Sequence, residues 1–444
     1  MGMITLGQAA EWCGGYVSPK FENVTFLGAN NDTRKLLPGQ LFLALEGVRD
    51  GHDFIDVAFE KGAAAVLCKH CPEDKPAIIV NDPRIALGMI AACERLRRSM
   101  QVVGVTGSVG KSTTKEMIAC VLEGSYIVSK TPANFNNDLG MPMAILAMPE
   151  DTQVAVLEMG MNHFREIAYL SQIAQPDVGV IINVGTMHIE HLGSRAGILQ
   201  AKLEILEGMG ETAPLFLNAD NDMLFGCEAG ARAQYFGEHE KSAVRAVNIT
   251  EADGTIGYTV FWKGEPFRVE LPLEGMHYVS DSLAAVSVGL HMGVAPETIA
   301  ARLAAFRTME GRQEIFQAQD MTIIKDCYNA GPESMAAALT VLGKRSGRRI
   351  AVLGDMLELG DCAPSEHRKV GAIAFENADI VLAYGPYAVC VAEGAAGNCR
   401  VFDDRSAMAA ALKQLARPGD TLLFKGSHGM HMELVLEAFL KIDT

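Results

Sequence analysis

Residues 102–122 read VVGVTGSVGKSTTKEMIACVL. The β-branched run predicts a strand ending at Thr106. A glycine-bearing loop, TGSVGKST, follows, and then a helix whose apolar residues pair at i,i+4 as Met117 with Val121 and Ile118 with Leu122. In such a strand–loop–helix the glycines let main-chain N–H groups converge on phosphate oxygens, and the helix N-terminus adds a favourable dipole. The expected nucleotide cradle is Thr106, Gly107, Ser108, Val109, Gly110, Lys111, Ser112 and Thr113. Lys111 is placed to reach the outer phosphates and the Ser112 hydroxyl to ligate Mg²⁺. The usual spacing wants glycine at 105; this chain has Val105, with Gly104 and Gly107 instead. The alternative is a glycine-rich βα turn with a solvated lysine.

The same alternation of strand and helix extends outward in both directions, which implies α/β architecture. Downstream, strands are expected at VAVLE (154–158), VGVIINV (178–184) and APLFLN (213–218), then a hairpin over 256–271 turning at Lys263-Gly264. Helices over 282–289 and from Pro296 close this central segment, 100–310. Residues 311–444 repeat β-α-β, with strands at 322–326, 349–354, 379–385 and 420–426 and helices at 333–342, 365–376 and 405–416. That predicts a Rossmann-like, mostly parallel sheet covered on both faces. Upstream, 1–99 offers strands at 40–45, 64–67 and 77–80, a helix near 54–62, and a helix from Pro83 that ends in Arg95, Arg97 and Arg98. Basic residues there suit the negative helix end better than they make a phosphate site. Ligands of such sheets bind at the carboxyl ends of the strands, so the residues after each strand carry most weight.

Composition bounds the rest. The length of 444 residues corresponds to about three domains. The charge balance, 38 − 54 = −16, is the wrong sign for a broad nucleic-acid or anionic-membrane footprint. The longest stretch free of Asp, Glu, Lys and Arg, 282–296, is too short to span a bilayer. The N-terminus lacks a basic region followed by an apolar core, and ten cysteines are scattered along the chain. A cytoplasmic protein with reduced thiols is expected. Cys68 and Cys71 form one C-x-x-C, but no second close pair completes a zinc site.

Three groups could hold metals. Glu158 ends its strand where a carboxylate can meet Mg²⁺ beside the loop. His188, Glu190 and His191 fall on the loop after 178–184, although HIEH lacks the spacing of a zinc helix and a hydrogen-bonded loop histidine is an equal reading. Lys202 has Ile198, Leu199, Ile205 and Leu206 as its i±3/4 neighbours, so its amine sits on an apolar face. It either snorkels or, with a depressed pKa, reacts with carbon dioxide to give a metal-binding carbamate.

Taken together, TGSVGKST, NFNNDLGMP (134–142), EMGMNHFREI (158–167), AKLEIL, GRQEI (311–315) and VLGDMLELG (352–360) resemble the Mur ligases of peptidoglycan precursor synthesis. NDTRKLLPGQLFLALEGVRDGHDFI (31–55), DCYNAGPESM (326–335) and KGSHGMHME (425–433) extend the resemblance over nearly the whole chain. The first of these sets it apart from the related folylpolyglutamate synthetases, which lack that domain.

The resemblance implies an ATP-dependent amide ligase, with the branch that joins D-alanyl-D-alanine to UDP-N-acetylmuramoyl-tripeptide the nearest. It implies ATP and two Mg²⁺ ions, small-molecule substrates, and a monomer with no nucleic-acid partner and no membrane span. Residues 1–99 would bind the UDP-sugar-peptide, 100–310 ATP, and 311–444 would complete the site. Lys111 would stabilise the β- and γ-phosphates. Ser112, Glu158, His188 and a carbamylated Lys202 would ligate metal. Asn136 and Asn137 would lie near the peptidyl carboxylate or phosphate. Asp281, Arg312 and Asp326 would approach ATP. Asp32, Thr33, Arg34, Asp50, Gly51 and His52 would shape the UDP-sugar pocket, with Lys425 and Ser427 on the substrate side of the third domain. Tyr278, Asp281, Gly331 and His428 depart from the family's usual text. A divergent ligase with another acceptor or amine, or a nucleotide-binding regulator without catalysis, are the alternatives.

Overall fold

The computed structural model describes residues 3–441; the outermost residues of the first and third predicted segments lie outside them. The chain builds three main sheets, each covered by helices. The strand that opens the quoted motif, Gln101–Thr106, sits inside a nine-stranded sheet. It pairs in parallel with Val154–Glu158 on one side and Val178–Ile181 on the other. Parallel pairing continues outward through Leu215–Asn218 and Ala233–Gly237 to Val244–Ala252. The sheet then ends in the antiparallel pair Thr255–Trp262 and Glu265–Leu271. Lys263 and Gly264 make the expected turn, with φ of 50° and 85°, the left-handed pair that a two-residue hairpin requires.

Side chains alternate across this sheet. Val103 and Val105 face the helices Lys111–Leu122 and His277–His291, while Val102, Ala155 and Leu157 face the other way. The two helices approach closely because residue 289 is glycine: a Cβ there would stand 2.6 Å from Val121 Cγ1. The strand predicted over 178–184 stops at Ile181, since Asn183 is drawn into the phosphate loop.

The first sheet has five short strands, with Leu41–Leu43, Ala65–Cys68 and Ala77–Ile79 in parallel register. Its core is not separate. Leu6, Phe26, Leu87 and Ile90 join Met141, Ile145, Leu157 and Ile167 in one apolar cluster that spans the boundary placed at 99/100. The helix Pro83–Arg97 provides the join. Arg95 donates to the carbonyls of Ala174 and Gln175 and pairs with Asp177; Arg98 donates to Met148 and Pro149. The basic run therefore caps the ends of neighbouring helices of the central segment, Glu166–Ala174 and Gly140–Ala147, and not only its own.

The third sheet has six strands, ordered Glu314–Ala318, Met321–Asp326, Thr421–Lys425, Arg349–Gly354, Ile380–Tyr384 and Cys399–Phe402. All pair in parallel except the first, an antiparallel edge strand that the sequence reading did not anticipate. Two cores of its own cover its faces. Among the described residues no helix is long and apolar enough to cross a membrane.

Candidate active site

The phosphate loop is held by one amide side chain. Asn183 Oδ1 accepts from the main-chain N–H of Ser108 and of Val109, each at 2.9 Å, and its Nδ2 donates to Val109 O at 2.9 Å. Ser108 Oγ in turn accepts from Gly185 N. Two amides expected to face phosphate are thus engaged inside the protein. The helix Lys111–Leu122 begins right after Gly110, whose φ of +83° is left-handed. The first-turn amides of Lys111, Ser112 and Thr113 carry no intrahelical partner, as at any helix start, and these residues line the cavity. Lys111 Nζ folds back on the carbonyls of Gly107 and Ser108 at 2.9 and 3.3 Å. Burial lowers its pKa, helped by Arg312 and opposed by Glu158 and Glu358.

Beside the loop, Ser112 Oγ donates to Glu158 Oε2 at 2.6 Å and accepts from Arg312 Nη2 at 2.8 Å. Asn136 Nδ2 donates to Glu158 Oε1 at 2.9 Å. Lys115, buried, lies 4.0 Å from the same carboxylate and donates to Thr131 O. Asn137 is used differently: its Oδ1 accepts from Leu139 N and Gly140 N, at the start of the helix Gly140–Ala147. Among the described residues no three His, Cys, Asp or Glu side chains converge as a ready-made metal cage. One carboxylate and one hydroxyl suit a hard cation that arrives on nucleotide phosphates, since Mg²⁺ is usually held by few protein oxygens plus substrate.

His188 has a left-handed backbone, φ 64°. Its buried Nδ1 lies 2.7 Å from Glu358 Oε2 of the third sheet's loops, without the alignment of a hydrogen bond. Lys202 ends the helix Arg195–Leu203 and is 1 % exposed. Burial, with the Lys111 charge adding to it, drives its pKa far below the ordinary lysine value. Its amine has no hydrogen-bond partner among the described residues, and the side chain stays buried along its length. Lys202 does not line the main cavity, nor do Thr106 and Gly107.

The third segment supplies the facing wall. Arg312 lies over the Tyr328 ring, 3.9 Å from its centroid. Asp326 pairs with the buried Lys425 at 2.6 Å and accepts from Gln313 N. Ser427 stands behind that wall, between Leu357 N and Ala330 O. Asp281 sits over the phosphate loop: a Cβ on Gly110 would stand 2.6 Å from its Oδ1. Burial raises the Asp281 carboxyl to about 7, with Arg312 opposing, and lowers His277 to about 4. The departure at Gly331 has a steric partner, since a side chain there would collide with Met187.

The first-segment candidates lie apart. Asp32 closes a turn onto the exposed Arg34, whose guanidinium and amide hold the carboxyl down to about 2. Thr33 lies in the same turn. His52 uses both ring nitrogens internally, Nδ1 with Asp50 at 2.6 Å and Nε2 accepting from Lys69 N. Gly51 is needed there because a Cβ would stand 2.5 Å from Leu45 N. None of the six lines the cavity.

That cavity, about 1090 Å³, is bounded by all three segments. The first contributes Arg84, paired with Asp138; the central one Lys111, Ser112, Asn136, Glu158 and His188; the third Arg312, Asp326, Glu358 and Lys425. Sequence reasoning missed Asn183, Arg84, Tyr328 and Glu358. The last lies inside the quoted VLGDMLELG, where its position in the motif was the only signal.

Two family models match the chain: the Mur ligase middle domain over residues 105–289 and the Mur ligase glutamate ligase domain over 311–428. A Bacillus subtilis protein named UDP-N-acetylmuramoyl-tripeptide–D-alanyl-D-alanine ligase is 40% identical, with 96% of each chain covered. The crystal structure of MurF from Acinetobacter baumannii superimposes with a TM-score of 0.92 at 31% identity, covering 99% of both chains. That of the Thermotoga maritima MurF ligase in complex with ADP gives 0.84 at 30% identity, covering 93% of this chain and 97% of that one.

Proposed function

The chain belongs to the Mur ligase family, and from that premise we propose that it is an ATP-dependent ligase joining D-alanyl-D-alanine to UDP-N-acetylmuramoyl-tripeptide. The observation that carries the reading is one cavity in which a helix-start phosphate cradle, Lys111 and the Ser112–Glu158–Asn136 cluster meet groups of the third segment. The full-length relative of that name supplies the substrates.

The chemistry needs no protein nucleophile. An oxygen of the tripeptide's terminal carboxylate attacks the γ-phosphorus, the bond to the β-phosphate oxygen breaks, and ADP leaves. The neutral amine of D-alanyl-D-alanine then attacks the acyl phosphate carbonyl, and the tetrahedral adduct expels phosphate as the amine proton is lost. Positioning and charge neutralisation are the protein's contribution. The amides of Lys111–Thr113 hold phosphate oxygens. Lys111 swings from the loop carbonyls to the charge that builds on the β- and γ-phosphates. Arg312 adds a cation from the third segment, and Asn136 orients Glu158. Asn137, Asp281, Asp326 and Lys425 line the same space. Ser427 braces the loop before Leu357.

Residues 1–99 are assigned to the UDP-sugar-peptide, 100–310 to ATP and 311–444 to closing the site. Asp32, Thr33, Arg34, Asp50, Gly51 and His52 act on the first substrate by shaping its pocket. Ser112 and Glu158 would hold Mg²⁺, with His188 and a carbamylated Lys202 at a second ion. The buried, unpartnered Lys202 amine fits such a site. Bound there, the ions would screen phosphate charge and polarise the transferred group. We place the protein in the cytoplasm as a monomer.

The test is to supply ATP, Mg²⁺, UDP-N-acetylmuramoyl-tripeptide and D-alanyl-D-alanine and to weigh the product by mass spectrometry. Pentapeptide formed in step with ADP is expected. Ligation of a different amine from a dipeptide and depsipeptide panel would redirect the assignment. Nucleotide binding without turnover across the panel would overturn it.

A further inference from the structure

Glu358 belongs to the third segment, yet its carboxylate lies against a histidine of the central one, 2.7 Å from His188 Nδ1. Both residues hold φ of 64°, a left-handed conformation that non-glycine residues adopt rarely and that concentrates where a structure fixes a functional group. The contact is part of a fitted seam. Two residues on, Gly360 packs so tightly on the turn carrying His188 that a Cβ would stand 3.0 Å from Glu190 Cβ. Glu358 also faces Lys111 and His191 and lines the cavity. Among the described residues nothing else engages His188 Nδ1.

We infer that Glu358 is a positioning residue that sets His188 from across the domain boundary, so that the cation site of the central segment is completed only when the third segment docks. An imidazole that gives its Nδ1 proton to a carboxylate leaves Nε2 as the lone-pair nitrogen, and such partners fix both the tautomer and the ring orientation of metal-binding histidines. The present contact is at bonding distance but out of line. Tying Nδ1 to a group on another segment makes docking and cation affinity mutually dependent: whatever favours one favours the other. The inference rests on the nucleotide and cation reading above.

The test uses the full-length protein with ADP and Mn²⁺, following free Mn²⁺ by electron paramagnetic resonance. The Glu358→Gln variant keeps the shape and removes the charge. Mn²⁺ affinity in the presence of ADP is expected to fall roughly ten- to a hundredfold, the usual effect of losing such a partner. Affinity for a fluorescent ADP analogue without metal should stay within about twofold of wild type. In turnover, the apparent KM for Mg²⁺ should rise while kcat recovers at saturating Mg²⁺, a split that a merely structural lesion does not give. A second variant, Gly360→Ala, wedges the seam and strains a left-handed backbone without changing any proposed ligand's identity; it should lower Mn²⁺ affinity in the same direction. Wild-type Mn²⁺ binding in Glu358→Gln would overturn the inference while leaving the ligase reading intact. Failure of the wild-type protein to bind Mn²⁺ with ADP would overturn both.

Discussion

Replacing Asn183 by alanine tests whether the phosphate loop is pre-shaped from within. The side chain makes three aligned bonds to the loop, two accepted from Ser108 N and Val109 N and one donated to Val109 O. Each such bond is worth about 1 kcal/mol net. Ser108 N also has the main-chain oxygen of residue 183 at 3.1 Å, so that amide keeps an acceptor. The loss therefore falls on Val109 and comes to ~2 kcal/mol of loop order. A loop that must be re-ordered on binding passes that cost to the ligand, so the Kd for ADP should rise ~30-fold. Titration with a fluorescent adenine nucleotide, alongside a thermal melt, reads both consequences. Unchanged nucleotide affinity in a variant whose melting temperature has dropped would refute the reasoning, because the clamp would then be stabilising the fold without shaping the cradle.

Lys111→Ala should lower kcat by orders of magnitude in steady-state assays, because its charge is needed most as phosphoryl transfer proceeds; wild-type turnover would remove its assignment. Lys202→Ala should be nearly inactive and partly restored by added acetate or propionate, whereas full activity without additive would end the carbamate idea. Asp281 gives a pH signature: its carboxyl titrates near 3.8 when free and at about 7 in the fold. The folded state holds the extra proton between those values, so stability falls as pH rises through that window, by up to ~4 kcal/mol. Asp281→Asn should flatten this part of the stability–pH curve measured by chemical denaturation, and an unchanged slope would show that another group titrates.

The phosphate loop and both parallel sheets were legible because they rest on local signals: β-branched runs, i,i+4 pairs and glycines at a turn. The hairpin at Lys263-Gly264 was legible for the same reason. Strands such as Ala233–Gly237 and Glu314–Ala318 were not, being short and polar on one face. Asn183 and Glu358 carry no local mark of their role, since their partners lie 74 and 170 residues away in the chain (183 − 109; 358 − 188). The motifs around Asp32 and His52 posed the opposite problem. Their residue types suggest a ligand pocket, yet the structure shows those polar atoms bonded to one another. Lys202 lay between: its apolar neighbours foretold burial, but only the fold shows that no partner among the described residues compensates it.

The apolar cluster that runs unbroken from the first sheet into the second has a mechanical consequence. Leu87, Ile90, Ile145 and Ile167 interlock there, so those two sheets cannot slide past each other without opening a void, and they travel as one body. The third sheet keeps its own apolar cores and meets that body through polar contacts such as Glu333 with Thr186, Gln313 with Glu274 and Arg345 with Glu274, joined by a single passage of chain near Gly311, itself at a φ of +70°. Any movement of the third sheet against that body must therefore turn about this one backbone tether. Stiffening residues 307–311 would restrict such movement while touching none of the residues that line the cavity.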